Sequence, residues 1–149
     1  MSDAAAIPPP RAVECVCLRF RKAARRVTQI YDQHLEPVGL TITQFGLLGH
    51  LRSYPGIGIG ALAETLLMDP TTLTRNLKPL ERRGLIRMEP DPRDRRARRL
   101  DLTEAGLAAY RAGRPLWAEA QRHVAALLNQ PDVGAINATL DRMLDQLSP

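Results

Sequence analysis

The sequence predicts a mainly α-helical chain that carries one small β-hairpin. Three observations lead there. Apolar residues recur at steps of three and four over most of the length, as in Val16, Phe20, Ala23, Val27, Ile30 and His34. Asp69-Pro70 places an acceptor side chain and then a proline where a helix begins. Strand-like alternation occurs in one place only, Arg99-Leu100-Asp101-Leu102, shortly after the apolar run Leu85-Ile86-Arg87-Met88. The 149 residues suffice for a single domain with a real core. Aromatic residues make up only 4% of the chain, so that core must be built from Leu, Ile, Val and Ala. The expected organisation is a leader over residues 1–11 and one domain over 12–149.

The formal charge of +5 comes largely from arginine. An arginine-rich basic chain suits an anionic partner, because the planar guanidinium matches phosphates and guanine edges. Charge alone does not choose between nucleic acid and an anionic membrane. Nothing approaches the apolar length of a membrane span, and Met1 to Pro10 lacks a signal-peptide core. The expected compartment is the cytoplasm, with Cys15 and Cys17 as thiols.

In chain order, MSDAAAIPPP reads as an extended or disordered arm. A long helix then runs from Ala12 to about Glu36. Cys17, Ala24 and Tyr31 widen its apolar stripe, and Arg19, Arg21, Lys22, Arg25 and Arg26 fill much of the remainder as a solvated face. Pro37 and Gly39 end it. A second helix covers Gln44 to about Ser53, capped by Thr41 or Thr43, with Phe45, Leu48 and Leu51 inward. Tyr54 to Gly58 is a turn. A third helix runs from Ile59 to about Leu67. The fourth, Pro70 to about Arg83, turns Leu73, Leu77 and Leu80 inward and Thr71, Thr72, Thr74, Arg75, Asn76 and Lys78 outward. Gly84 ends it, and Pro79 within it predicts a bend or a weakened last turn. Strands at 85–88 and 99–102 flank the charged turn Asp91-Pro92-Arg93-Asp94-Arg95-Arg96. From Thr103 a helix runs towards Asn129, with Gly113 and Pro115 predicting a kink near Arg114. After a break at 129–132 comes a last helix with Val133, Ile136, Leu140, Met143, Leu144 and Leu147 on one stripe.

A helix pair followed by two strands around a basic turn is a winged helix-turn-helix. The segment resembles the MarR family of bacterial transcription regulators through Leu62-Ala63, Thr72-Leu73-Thr74-Arg75, Leu80 to Ile86, Asp91 to Arg96 and Leu102-Thr103-Glu104-Ala105-Gly106. The basic turn leading into Leu-Thr-x-x-Gly is the specific part, and the flanking helices extend the resemblance to residues 13–147. The resemblance implies a sequence-specific double-stranded DNA-binding regulator, in most cases a repressor released by a small-molecule effector. Residues 40–102 would form the DNA-binding part, and 12–36 with 103–147 the dimerisation helices. The long amphipathic end helices, which have no sheet to cover, support a homodimer on their own account.

The chemistry of the outward face fits a major groove. Asn76 can pair with adenine and Arg75 with guanine, while threonines can bond phosphates or touch a thymine methyl; Thr72, Arg75 and Asn76 are the residues expected to reach bases. Lys78 and Arg82 suit phosphates. On the turn, Arg93, Arg95 and Arg96 are the candidates, with Arg95 and Arg96 matching the family's residues for the adjacent minor groove. Asp91 and Asp94 are expected to brace arginines. A two-fold dimer would set its recognition helices roughly 34 Å apart and require a pseudo-palindromic operator.

The family commonly responds to aromatic or lipophilic acids bound between the dimer helices and the winged part. The candidate walls here are Phe20, Tyr31, His34, Phe45, Leu48, Trp117 and His50. In the family's peroxide-sensing branch a reactive cysteine occupies the first helix. Cys17 matches it and falls on the buried stripe, whereas Ile42 replaces a tyrosine kept near that thiol. A thiol-based peroxide-responsive regulator is therefore an alternative, and a winged-helix protein adaptor without a DNA role is another. No Cys/His cluster has convincing metal spacing, and no cofactor, nucleophile–base constellation or glycine-rich phosphate loop is visible.

Overall fold

The computed structural model describes residues 15–129 and 132–148. The order is α1 (Val16–Leu35), a single 3-10 turn (Glu36–Val38), α2 (Ile42–Ser53), β1 (Ile57–Gly58), α3 (Ile59–Thr65), α4 (Pro70–Arg82), β2 (Ile86–Pro90), β3 (Arg98–Leu102), α5 (Glu104–Leu128) and α6 (Val133–Leu147). The expected leader and the first turn of the predicted long helix lie outside the described residues, as do 130 and 131.

Local chemistry sets most boundaries. Pro37 opens the 3-10 turn, and Gly39 closes it at φ 65°, a conformation that costs glycine little. The cap of α2 is Thr41, and the helix begins at Ile42 rather than Gln44. The Thr41 hydroxyl accepts from the Gln44 amide at 3.2 Å, and the Gln44 side chain accepts from the Thr41 amide at 3.1 Å, a complete capping box. Asp32 of α1 accepts from the Ile42 amide at 2.7 Å, which ties the first helix to the second. Asp69 caps α4 through the Thr72 amide at 3.0 Å.

Four expectations need correction. The segment from Tyr54 to Gly58 is more than a turn: Ile57 and Gly58 form β1, which pairs antiparallel with Leu100 and Arg99, giving the strand order β1-β3-β2. α3 stops at Thr65, and Leu67, expected at its end, sits at φ 50° and is exposed. The hairpin strands are longer and shifted, with Ile86 opposite Leu102 and Pro90 opposite Arg98. α5 is a single helix across Gly113 and Pro115, where the sequence predicted an interruption. Gly113 serves packing instead: a Cβ there would come within 2.9 Å of the Phe45 ring, so its absence lets α5 lie directly on α2.

The core sits between α2, α3, α4 and the hairpin. Leu47, Leu48, Leu51, Leu62, Leu73, Leu77, Leu80, Ile86 and Leu100 are its fully enclosed members, joined from α1 by Leu35. Each contributes about 1.5–3 kcal/mol relative to exposure. Thr103 locks the hairpin to α5: its hydroxyl donates to the Gly84 carbonyl at 2.7 Å and accepts from the Gly106 amide at 3.0 Å. Gly106 has no room for a side chain, because a Cβ would lie 2.0 Å from the Leu85 carbonyl oxygen.

α1 and α6 differ in kind. Apart from Leu35, α1 buries nothing fully, and α6 has no buried residue at all. Val16, Phe20, Val27, Leu140, Leu144 and Leu147 are exposed in the single chain. Cys15 and Cys17 are exposed too, so Cys17 lies on no buried stripe within the chain; Cys15 is the residue preceding α1.

Candidate nucleic-acid interface and effector cleft

The side of α4 opposite Leu73, Leu77 and Leu80 is polar. Pro70, Thr71, Thr74, Arg75 and Lys78 line a shallow depression on it, at positions that share one helical face. Thr74 donates its hydroxyl to the Pro70 carbonyl at 2.9 Å, which leaves its methyl and an acceptor lone pair outward. Thr72 sits at the flank, with its amide on the Asp69 cap. Asn76 is half-buried, and its amide donates to the Thr72 carbonyl at 2.9 Å. To pair bidentately with a base it would first have to release that bond. Arg75, Lys78 and Arg82 are exposed, whereas Arg83 reaches back to donate to the Gly39 carbonyl at 2.6 Å.

The hairpin tip is held by its own backbone. The Asp91 amide donates to the Ala97 carbonyl and the Ala97 amide to the Asp94 carbonyl, both at 2.9 Å. Asp91 and Asp94 do brace arginines, but through the main chain rather than the guanidinium groups. Their carboxylates accept from the backbone amides of Arg93 at 2.8 Å and Arg96 at 3.0 Å. The short acceptor side chain two residues upstream stabilises the turn itself. Arg93, Arg95 and Arg96 project exposed from this frame. Arg99 lies on the strand beyond the tip and lines one depression with Arg93, Asp91 and Gly56. Its guanidinium pairs with Asp101 at 3.3 Å and lies against Gly56, where a Cβ would come within 2.7 Å of it. Gly56, at φ 73°, supplies both the turn and the space.

A second feature is a cleft of about 420 Å³ between α2 and α5. It is lined by Phe45, Tyr110 and Trp117, with Gly46, Gly49, His50, Tyr54 and Arg114 beside them. Phe45 stacks with Tyr110 at 5.1 Å and with Trp117 at 6.4 Å between centroids. The Arg52 guanidinium lies 5.6 Å from the Tyr110 ring centroid. A slot with flat apolar walls and cationic groups beside them has the chemistry to hold an aromatic anion. Of the expected walls, Phe45, Trp117 and His50 meet here. Leu48 is sealed in the core, and Phe20 lies in a separate apolar cleft against Ile136, Leu140 and Met143 of α6. Tyr31 donates to Gln121, and burial raises its phenol above the ordinary 10.0. His34 faces His123. Sequence reasoning missed Tyr110 and Arg114. Their spacing on α5 was legible, but not that Gly113 would let α5 approach α2 closely. Gly46 is informative as well: a Cβ there would meet nothing within 4 Å. Packing does not require the glycine, and its position in a helix interior has a cost.

Among the described residues, no group of three or more His, Cys, Asp or Glu could hold a metal ion, and no helix is long and apolar enough to cross a membrane.

The sequence model of the MarR family matches residues 40–97. The transcriptional repressor NicR of Pseudomonas putida is 32% identical over 126 residues, spanning 85% of this chain and 80% of NicR. The transcriptional regulator MosR of M. tuberculosis, solved in complex with DNA, superposes with a TM-score of 0.79 at 36% identity, covering 87% of this chain and 93% of that one. BpsR of Bordetella bronchiseptica, whose DNA binding is regulated by 6-hydroxynicotinic acid, gives a TM-score of 0.79 at 27% identity over 92% and 98% of the two chains.

Proposed function

The chain belongs to the MarR family of winged-helix transcriptional regulators, and from that premise we propose that two copies of it bind one pseudo-palindromic operator and release it when an aromatic acid occupies the cleft between α2 and α5. The observation that carries the DNA reading is the pairing of two cationic features on one rigid unit. The outer face of α4 presents Thr71, Thr74, Arg75 and Lys78, and the self-braced wing presents Arg93, Arg95 and Arg96. A polar helix face fits a major groove, and a guanidinium on a narrow hairpin fits the neighbouring minor groove. Thr71, Thr74 and Arg75 are the base-reading candidates. Lys78 and Arg82 suit phosphates, and Thr72 and Asn76 act at the flank of the face.

The homodimer rests on the apolar side chains that α1, the end of α5 and α6 leave in solvent: Val16, Phe20, Val27, Leu127, Leu128, Leu140, Leu144 and Leu147. So many exposed large apolar groups on three helices are costly unless a second copy covers them. For the effector, the stacked trio Phe45, Tyr110 and Trp117 takes the ring and Arg114 the carboxylate. Release follows if a bound acid wedges α5 away from α2, since α5 is locked to the wing through Thr103 and Gly106.

The test is a titration of the chain's own upstream duplex at several salt concentrations. Reversing charge at Arg95 and Arg96 together should weaken binding at least tenfold and lower the salt slope by about one unit for each phosphate no longer neutralised. Unchanged binding and slope would overturn the reading. Addition of hydroxylated aromatic acids should release the duplex from the native protein and fail to do so from Trp117→Ala.

A further inference from the structure

Away from the cleft and the DNA-facing surface, the fold brings one pair of histidines within reach of each other. We propose that His34 and His123 form a surface site for a single first-row divalent transition ion, such as Cu²⁺, Ni²⁺ or Zn²⁺, that clips α1 to α5.

His34 Nε2 and His123 Nδ1 stand 3.1 Å apart, brought together from positions separated by 89 residues. Two imidazole nitrogens bound to one ion at about 2.0–2.1 Å each stand roughly 3 Å from one another when they occupy adjacent ligand positions. The separation is therefore already that of a chelate. The rings meet nearly tip to tip, with centroids 5.4 Å apart and planes at 69°. Binding an ion requires both rings to turn so that the two lone pairs converge on one point. His34 is half-buried and His123 exposed, so water can reach that point and complete the coordination. Among the described residues no carboxylate is hydrogen-bonded to either ring, and the Tyr31–Gln121 bond ties the same two helices beside the pair. The backbones that present the ligands are thus rigid before the ion arrives, which lowers the ordering cost of binding.

Without metal, one nitrogen must carry a proton and the other a lone pair for the two to bond. Binding an ion needs both lone pairs. When both rings are neutral, the donor ring shifts its proton to its other nitrogen and none is released. Because an ion and protons compete for those lone pairs, affinity falls with acidity. Imidazole ligands favour Cu²⁺ over Ni²⁺ and Zn²⁺, and all of these over Mn²⁺. The site is distinct from the cleft and from the DNA-facing surface, and it does not depend on the effector reading.

The experiment uses the full chain with Cys15→Ser and Cys17→Ser, so that thiols cannot bind the probe. The chloride salts of Ni²⁺, Zn²⁺ and Mn²⁺ and the sulfate of Cu²⁺ are titrated by calorimetry, with melting curves alongside, at pH 7.5 and pH 5.5. The expected result is one ion per chain at pH 7.5 with Cu²⁺ tightest, a rise in melting temperature of several degrees, and at least tenfold weaker binding in either His34→Gln or His123→Gln. Glutamine at these surface positions keeps the shape of the side chain, and metal-free melting curves establish that the variants fold. Absence of binding, or binding that survives both substitutions, would overturn the proposal.

Discussion

Between Leu40 and Leu102, Tyr54 and Leu67 are the only large apolar side chains left exposed; on α1 the exposed ones run from Val16 to Val27, and on α6 from Leu140 to Leu147. The same helical spacing of leucine, valine and phenylalanine produced both regions. In the first, α2, α3, α4 and a three-stranded sheet close over the apolar face. In the second, two helices present their stripes outward. The difference shows that an amphipathic pattern specifies a face to be covered without saying by what. The winged region covers itself and so can hold its DNA-facing groups still. The terminal helices are finished only by another surface.

The largest test strikes the closed region. Leu77 is fully enclosed, and Leu77→Ala should cost about 2–5 kcal/mol by urea denaturation. A loss below about 1 kcal/mol would mean that the core is less complete than its burial indicates. The next strikes the open region. Leu140→Asp with Leu144→Asp removes apolar surface that the single chain does not bury. Association should weaken about a hundredfold, close to 2.7 kcal/mol, by sedimentation at decreasing concentration, while the monomer keeps its helical circular dichroism. An unaltered oligomeric state would place the interface elsewhere.

A smaller effect sharpens the comparison at the junction of the regions. Tyr31 of α1 donates to Gln121 of α5, and burial raises its pKa. The neutral phenol is thereby favoured in the folded state. Its contribution is fully present below pH 10.0 and is lost as pH climbs through the raised folded value. Tyr31→Phe should cost about 1 kcal/mol at neutral pH and flatten the dependence of stability on pH above 10.0, read from melting curves. The smallest effect concerns Gly46. Alanine there meets open space and should stabilise α2 by about 0.5–1 kcal/mol, while its methyl narrows the cleft and weakens aromatic-acid release of DNA. If both stability and release are unchanged, the glycine has no role in the cleft.

Much of the fold was legible because its signals are local. Asp69-Pro70, Thr103 and Gly84 each act within a few residues, and they mark ends that the structure keeps. The inward set Leu73, Leu77 and Leu80 followed from one period. What was hidden depends on partners far along the chain. β1 is two residues long and is a strand only because Leu100 and Arg99 lie beside it. Tyr110 and Arg114 reach the cleft because Gly113 admits Phe45, and His34 meets His123 across two helices. The polar residues of α4 could be placed on the correct side, yet spacing did not show that Asn76 bonds back to its own helix.

The hairpin tip has a further consequence. Asp91 and Asp94 shape it through main-chain amides, leaving the guanidinium groups out of the scaffold. Frame and exposed arginines are therefore separately mutable. A lineage could exchange Arg93, Arg95 or Arg96 one at a time without rebuilding the loop that carries them.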